Sequence, residues 1–260
     1  MKNDKRITAF AKLLDIMDEL REKCPWDKKQ TFESLRNHTI EETYELADAI
    51  IKKDLNEIRK ELGDLLLHIV FYAKIGSETE DFDIADVING ICDKLVYRHP
   101  HVFGNVDVNN DANQVVKNWE QLKLKEKDGN KTVLSGIPAA LPALIKANRI
   151  QEKVSAVGFD WENKNQVWEK VMEEYDEVQT ELLTKNHEHL EQEFGDLIFS
   201  IVNAARLYDI DPEMALERTN KKFMRRFEYL EQKTIKQGRS LKTMSLDEMN
   251  EIWEEAKKFD

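Results

Sequence analysis

Glu61-Leu62-Gly63-Asp64-Leu65-Leu66-Leu67-His68-Ile69-Val70-Phe71-Tyr72 is the stretch on which the fold turns. It is apolar on nearly every side, so the helix it belongs to, from about Leu55 to Ile75, is expected to be buried. Working outward, Ile7, Phe10, Leu13, Leu14, Met17 and Leu20 recur at three- and four-residue steps and form one face of a first helix. That helix should stop near Cys24-Pro25, because the residue before proline disfavours the α region. A second helix is expected from about Thr39 to Lys53, with further ones near 84–98 and 113–126. Gly104 to Asp111, rich in Asn and Asp, reads as a loop. With only 9 Gly and 5 Pro in 260 residues, the chain has too few turn formers for an all-β fold. The fold class is all-α.

Composition bounds the function as well. Against 39 basic residues stand 51 acidic ones, a formal net charge of −12, which argues against a nucleic-acid partner because phosphate backbones need a basic footprint. No apolar run reaches the ~18 residues that would span a bilayer, so no membrane association is expected. The charged start, Met1 to Arg6, shows no signal peptide, and two cysteines, Cys24 and Cys92, form no disulfide framework. These features predict a cytoplasmic protein. Cys92 sits in an apolar helical stretch, where a thiol is expected to pack inertly.

The deciding stretch occurs twice. Glu61-Leu62-Gly63-Asp64-Leu65 returns as Glu193-Phe194-Gly195-Asp196-Leu197, and Glu41-Glu42-Thr43-Tyr44-Glu45 as Glu173-Glu174-Tyr175-Asp176-Glu177, both offset by 132. Trp119-Glu120 is echoed by Trp253-Glu254. Gly129, Gly136, Pro138 and Pro142 interrupt the helical pattern between the copies. The chain therefore reads as two tandem helical domains, 1–128 and 140–260, linked by 129–139.

In each copy the acids pair on one helix face: Glu42 with Glu45, Glu61 with Asp64, Glu174 with Glu177, Glu193 with Asp196. A single such triplet means little, since about two are expected by chance in so acidic a chain. A second copy in the same register removes coincidence. Two unit charges ~5 Å apart repel by roughly 3 kcal/mol at an effective dielectric of 20, so four converging carboxylates call for a divalent cation. Oxygen ligands without paired His or Cys point to Mg²⁺, with Mn²⁺ as substitute. Glu193, Asp196, Ser200 and Asn203 form a polar stripe along the second helix. His68 is expected as a buried, hydrogen-bonded histidine, and His99-Pro100-His101 as a turn. Asn220-Lys221-Lys222-Phe223-Met224-Arg225-Arg226 is the strongest basic cluster of the second half, suited to phosphate oxygens.

These residues resemble the EExxE…ExxD signature of MazG-type nucleoside triphosphate pyrophosphohydrolases. Cys24-Pro25-Trp26-Asp27, Arg98-His99-Pro100-His101-Val102-Phe103 and Val157-Gly158-Phe159-Asp160-Trp161 extend the resemblance over nearly the whole chain. It implies two MazG-like repeats of four-helix-bundle type, completed by dimerisation into a homodimer. It also implies Mg²⁺-dependent hydrolysis of nucleoside triphosphates between the α- and β-phosphates, giving a monophosphate and pyrophosphate. By the same match the metal ligands are Glu174, Glu177, Glu193 and Asp196, mirrored by Glu42, Glu45, Glu61 and Asp64. Nucleotide contacts are expected from Lys170, Glu173, Lys222, Arg225, Arg226 and Trp253. Glu173, Glu174 and Glu177 are the candidate catalytic residues, Glu173 as general base. The rival reading is a non-catalytic helical protein that binds a nucleotide or a partner around a structural cation.

Overall fold

The computed structural model describes residues 4–108, 111, 114–115, 118–119, 122–123, 126, 132–184, 186–236 and 238–259. Among the described residues there are ten α-helices and no strand, as the all-α reading requires. The chain divides into two compact units, Met1–Asp107 and Val108–Asp260. The helix expected over 113–126 falls largely outside the described residues.

In the first unit, α1 (Lys5–Lys23) starts on an Asp4 cap and ends at Cys24, before the proline. Helix α2 (Phe32–Lys52) begins well before the expected Thr39, because Thr31 and Ser34 form a reciprocal capping box there. Lys53 then adopts a left-handed conformation (φ 57°), and the Asp54 side chain accepts from the Asn56 and Glu57 amides to start α3 (Leu55–Glu78). That two-residue link folds α2 and α3 into an antiparallel hairpin, their faces in extensive contact. Helices α4 (Ile84–Arg98) and α5 (Pro100–Phe103) follow. His99-Pro100-His101 is the start of α5, with His99 Nδ1 2.7 Å from the Leu95 carbonyl. The core joins Met17 of α1, Leu35 of α2, and Val70, Phe71 and Ile75 of α3.

The second unit repeats the hairpin. Helix α6 (Ala143–Ser155) leads to α7 (Lys164–Thr184) and α8 (His187–Leu207), which pack against each other over most of their length. Helices α9 (Pro212–Lys236) and α10 (Leu246–Ala256) form a second pair with its own small core of Leu230, Met244 and Ile252. Val167, Val171 and Ala204 make the core between α7 and α8.

Two expectations need correction. Helix α3 is not buried all round: Leu62, Leu66 and Ile69 are exposed, because α1, α2 and α4 cover only part of its circumference. Cys92 is exposed as well, on an α4 whose apolar residues Val87, Ile88, Ile91 and Leu95 are exposed too. No described helix is long and apolar enough to cross a membrane.

Candidate active site

Each hairpin brings three of its acids together. Glu42 and Glu45 on α2 meet Glu61 on α3, each offering an oxygen within 4.8 Å of the others; Glu174 and Glu177 on α7 meet Glu193 on α8 in the same way. The geometry follows from two ordinary rules. A three-residue step keeps two acids on one face, and the antiparallel hairpin sets the next helix's glutamate opposite them.

The burial is uneven, and it shapes the electrostatics. Glu61 is 2% exposed; its Oε1 accepts from Lys60 Nζ at 3.1 Å, while its Oε2 is buried with no hydrogen-bond partner among the described residues. Burial, then the charges of Asp64 and Glu45 and the Glu61 carboxyl, raises the Glu42 carboxyl above the usual carboxylate range. In the second unit Glu174 is 6% exposed and its Oε1 lies 2.7 Å from Lys170 Nζ. Burial and the neighbouring Glu174 and Glu193 raise Glu177, with Lys170 pulling the other way. Lys170 bridges Glu173 Oε1 at 2.8 Å and Glu174, and those bonds hold its ammonium well above the ordinary lysine value. Crowded carboxylates with raised proton affinity and a buried oxygen without a partner among the described residues are a donor set that suits a hard divalent cation.

Asp64 and Asp196 stand outside the two triads. Asp64 is half-buried, close enough to raise Glu42. Asp196 is exposed rather than turned into the bundle, yet it lines one cavity of about 440 Å³ together with Lys170 and Glu174. Ser200 and Asn203, the rest of the polar stripe, line it too. So do Gln151, Phe159 and Trp161, whose part only the folded chain reveals. Asp160, on the same wall, accepts from Arg206 Nη1 at 3.1 Å, Ser155 Oγ at 2.5 Å and the Trp161 amide at 2.9 Å.

The remaining nucleotide-contact candidates form a second set on α9 and α10. Lys222, Arg225 and Arg226 lie on α9, and the Arg226 guanidinium sits 5.6 Å from the Trp253 ring centroid. Trp253 is half-buried, its other neighbour being Phe223 at 4.9 Å between centroids. In the first unit His68 is buried as expected, but its Nδ1 has no hydrogen-bond partner among the described residues. Burial, then the nearby His38, lower its proton affinity, with Asp64 pulling the other way.

Comparison with known proteins agrees with this duplicated geometry. The model of the MazG nucleotide pyrophosphohydrolase domain matches twice, at residues 30–103 and 162–230. The chain is 44% identical over 251 residues to the nucleoside triphosphate pyrophosphohydrolase/pyrophosphatase MazG of Thermotoga maritima, covering 95% of each. It is 42% identical over 254 residues to the nucleoside triphosphate pyrophosphohydrolase of Escherichia coli, covering 95% of this chain and 96% of that one. To the uncharacterised protein YabN of Bacillus subtilis it is 48% identical over 252 residues, 95% of this chain but 51% of that protein. With a matching domain in each half and relatives aligned over nearly their full length, the chain belongs to the MazG nucleotide pyrophosphohydrolase family.

Proposed function

We propose that the chain is a nucleoside triphosphate pyrophosphohydrolase that cleaves between the α- and β-phosphates, working in the second unit. The observation that carries this is the Glu174–Glu177–Glu193 triad, whose Glu174 is bonded to Lys170 and with it lines a cavity of about 440 Å³. Glu174, Glu177, Glu193 and Asp196 would hold Mg²⁺, or Mn²⁺ in its place. When bound, that ion neutralises phosphate charge and brings the pKa of a coordinated water toward neutrality. Lys222, Arg225 and Arg226 are the cations for the phosphate oxygens, each able to make charge-assisted hydrogen bonds. Trp253, beside Arg226, is the aromatic contact of that set. Glu173, next to the ligands and already bonded to Lys170, would take the proton of the attacking water. Its exposure and its position one residue before Glu174 suit it for that exchange.

The first unit carries the matching triad, Glu42, Glu45 and Glu61, and with Asp64 would hold a cation likewise. In its register His38 replaces Lys170, and Phe71 replaces Asn203, so its contribution to turnover is set below that of the second unit. We propose further that the protein acts in the cytoplasm as a homodimer. The acidic charge and two free cysteines support the compartment, and the uncovered faces of α3 and α8 support the pairing.

The test joins product analysis with one substitution. Incubated with nucleoside triphosphates and Mg²⁺, the protein should release monophosphate and pyrophosphate, and Glu174→Gln should lose at least a hundredfold in kcat while keeping the helical spectrum. Turnover unchanged in Glu174→Gln would remove the site assignment, and nucleotide binding without any turnover would favour the non-catalytic reading. A ligand held only by the folded state stabilises it by mass action, so millimolar Mg²⁺ should raise the melting temperature. Glu193→Gln should shrink that rise.

A further inference from the structure

The cavity that Lys170, Glu174 and Asp196 share has a chemistry of its own. Phe159, Trp161, Val167 and Phe199 give it apolar walls, and beside the charged groups three uncharged polar residues line it: Gln151, Ser200 and Asn203. Gln151 is 4% exposed, and its Nε2 donates to the Phe199 carbonyl at 2.8 Å. Turning the amide over would set two oxygens against each other, so the network itself assigns Oε1 as the other end. That Oε1 is buried and has no hydrogen-bond partner among the described residues. A buried acceptor left this way is costly, so a donor brought into the cavity that Gln151 lines would relieve it. Asn203 is oriented by its neighbour too. Its Oδ1 accepts from Arg206 Nε at 3.0 Å and Nη2 at 2.9 Å, which leaves the Nδ2 hydrogens as its available end.

We propose, building on the pyrophosphohydrolase reading, that the cavity takes the nucleobase and that Gln151 and Asn203 read its hydrogen-bonding edge. Gln151 Oε1 accepts from a base N–H, and Asn203 Nδ2 donates to an adjacent base nitrogen or oxygen. Flat apolar walls with one fixed acceptor and one fixed donor suit a planar heterocycle, and a cavity of this size falls in the range of small-molecule sites. Every common nucleobase presents an N–H next to an acceptor. The pair therefore demands the presence of the N–H without choosing among the bases: the enzyme is broad toward ordinary nucleotides and strict against those whose edge lacks a donor. Trp253, whose ring is already occupied by Phe223 and Arg226, is left for the sugar and phosphate side. In the first unit the same register holds Phe71 in place of Asn203 and His68 in place of Ser200, so that unit lacks the donor.

The experiment compares full-length wild type with Gln151→Met, with Mg²⁺, on two matched substrate pairs. Adenosine triphosphate is set against purine riboside triphosphate, which lacks only the amino group, and cytidine triphosphate against its 2-pyrimidinone analogue. Wild type should lose about tenfold or more in kcat/KM on each stripped base, the loss expected when a buried acceptor goes unpaired. In Gln151→Met that ratio should fall to about twofold, since the two changes act on one bond and cannot add. Should Gln151→Met fail to fold, Asn203→Asp keeps the acceptor for Arg206 and sets a second acceptor against the acceptor that each base presents. It should lower kcat/KM about tenfold or more on every ordinary triphosphate, and by clearly less on ribose 5-triphosphate, which carries no base. Equal wild-type rates on stripped and intact bases, an undiminished ratio in Gln151→Met, or an equal loss with and without a base in Asn203→Asp overturns the base-reading role while the hydrolase assignment stands. No turnover of any triphosphate by wild type overturns both.

Discussion

Asp160 shows how a residue's environment decides its chemistry. Burial alone would raise its carboxyl, but bonds from Arg206, Ser155 and the Trp161 amide outweigh that and leave it below the usual carboxylate range. A carboxyl whose folded value is depressed adds stability that is complete above its unfolded value, about 3.9, and is lost as pH falls through the lower folded value. Asp160→Asn should therefore cost about 1–2 kcal/mol near neutrality, the worth of charge-assisted bonds discounted for partial exposure. The difference in melting temperature between the two proteins should hold steady from pH 7 to 5 and narrow below about pH 4; a gap that widens in acid would contradict the assignment. At this scale the sequence was legible only where it repeated itself. Glu174, Glu177 and Glu193 stood out because Glu42, Glu45 and Glu61 recur 132 residues earlier. Gln151 and the Asp160–Arg206 pair carry no such spacing, because their partners lie 48 and 46 residues away along the chain.

At the level of elements, apolar periodicity located the helices well and their starts poorly. The end of α1 at Cys24 and the span of α4 agree with expectation, since a proline and a sharp change of pattern mark them. The start of α2 was hidden because its capping box uses Ser34 at the third position, where Glu or Gln is the usual sign. The α3–α4 corner was hidden for another reason: it is made by close approach. A Cβ at Gly76 of α3 would stand 2.7 Å from Phe82 Cζ, and Phe82 in turn packs against Phe32 of α2, with ring centroids 6.2 Å apart. Glycine is what lets the ring lie across the helix. Gly76→Ala should destabilise the protein by about 1–3 kcal/mol through overpacking, as urea titration would measure. Removing the ring relieves the clash, so Gly76→Ala with Phe82→Ala should cost clearly less than the two separate losses together. Strict additivity would mean that the ring moves aside freely.

For the whole molecule, the duplication that revealed the acids also repeats what is left uncovered. Leu62, Leu66 and Ile69 on α3 are exposed, and 132 residues on so are Phe194, Ile198 and Ile201 on α8. Six large apolar residues kept in one register on both copies are not scattered surface hydrophobics; contiguous apolar faces of this kind mark interaction sites. The sequence reading took α3 for a buried helix because an all-round apolar pattern is the same whether the chain itself or a second chain supplies the cover. A twofold arrangement in which a second copy supplies it uses the same patch on both partners and closes without leaving a face open. The expected particle in sedimentation at micromolar concentration has about twice the 30.5 kDa chain mass. Placing a charge in each face, Ile69→Glu together with Ile201→Glu, should yield a species of single-chain mass, because burying an unpaired carboxylate in an apolar interface is strongly unfavourable. Since each triad is carried by the hairpin whose outer face would be covered, the monomeric variant should also lose most of its turnover. A wild-type chain that sediments at single-chain mass and turns over fully would assign these faces to some other partner and make each unit's site complete in itself.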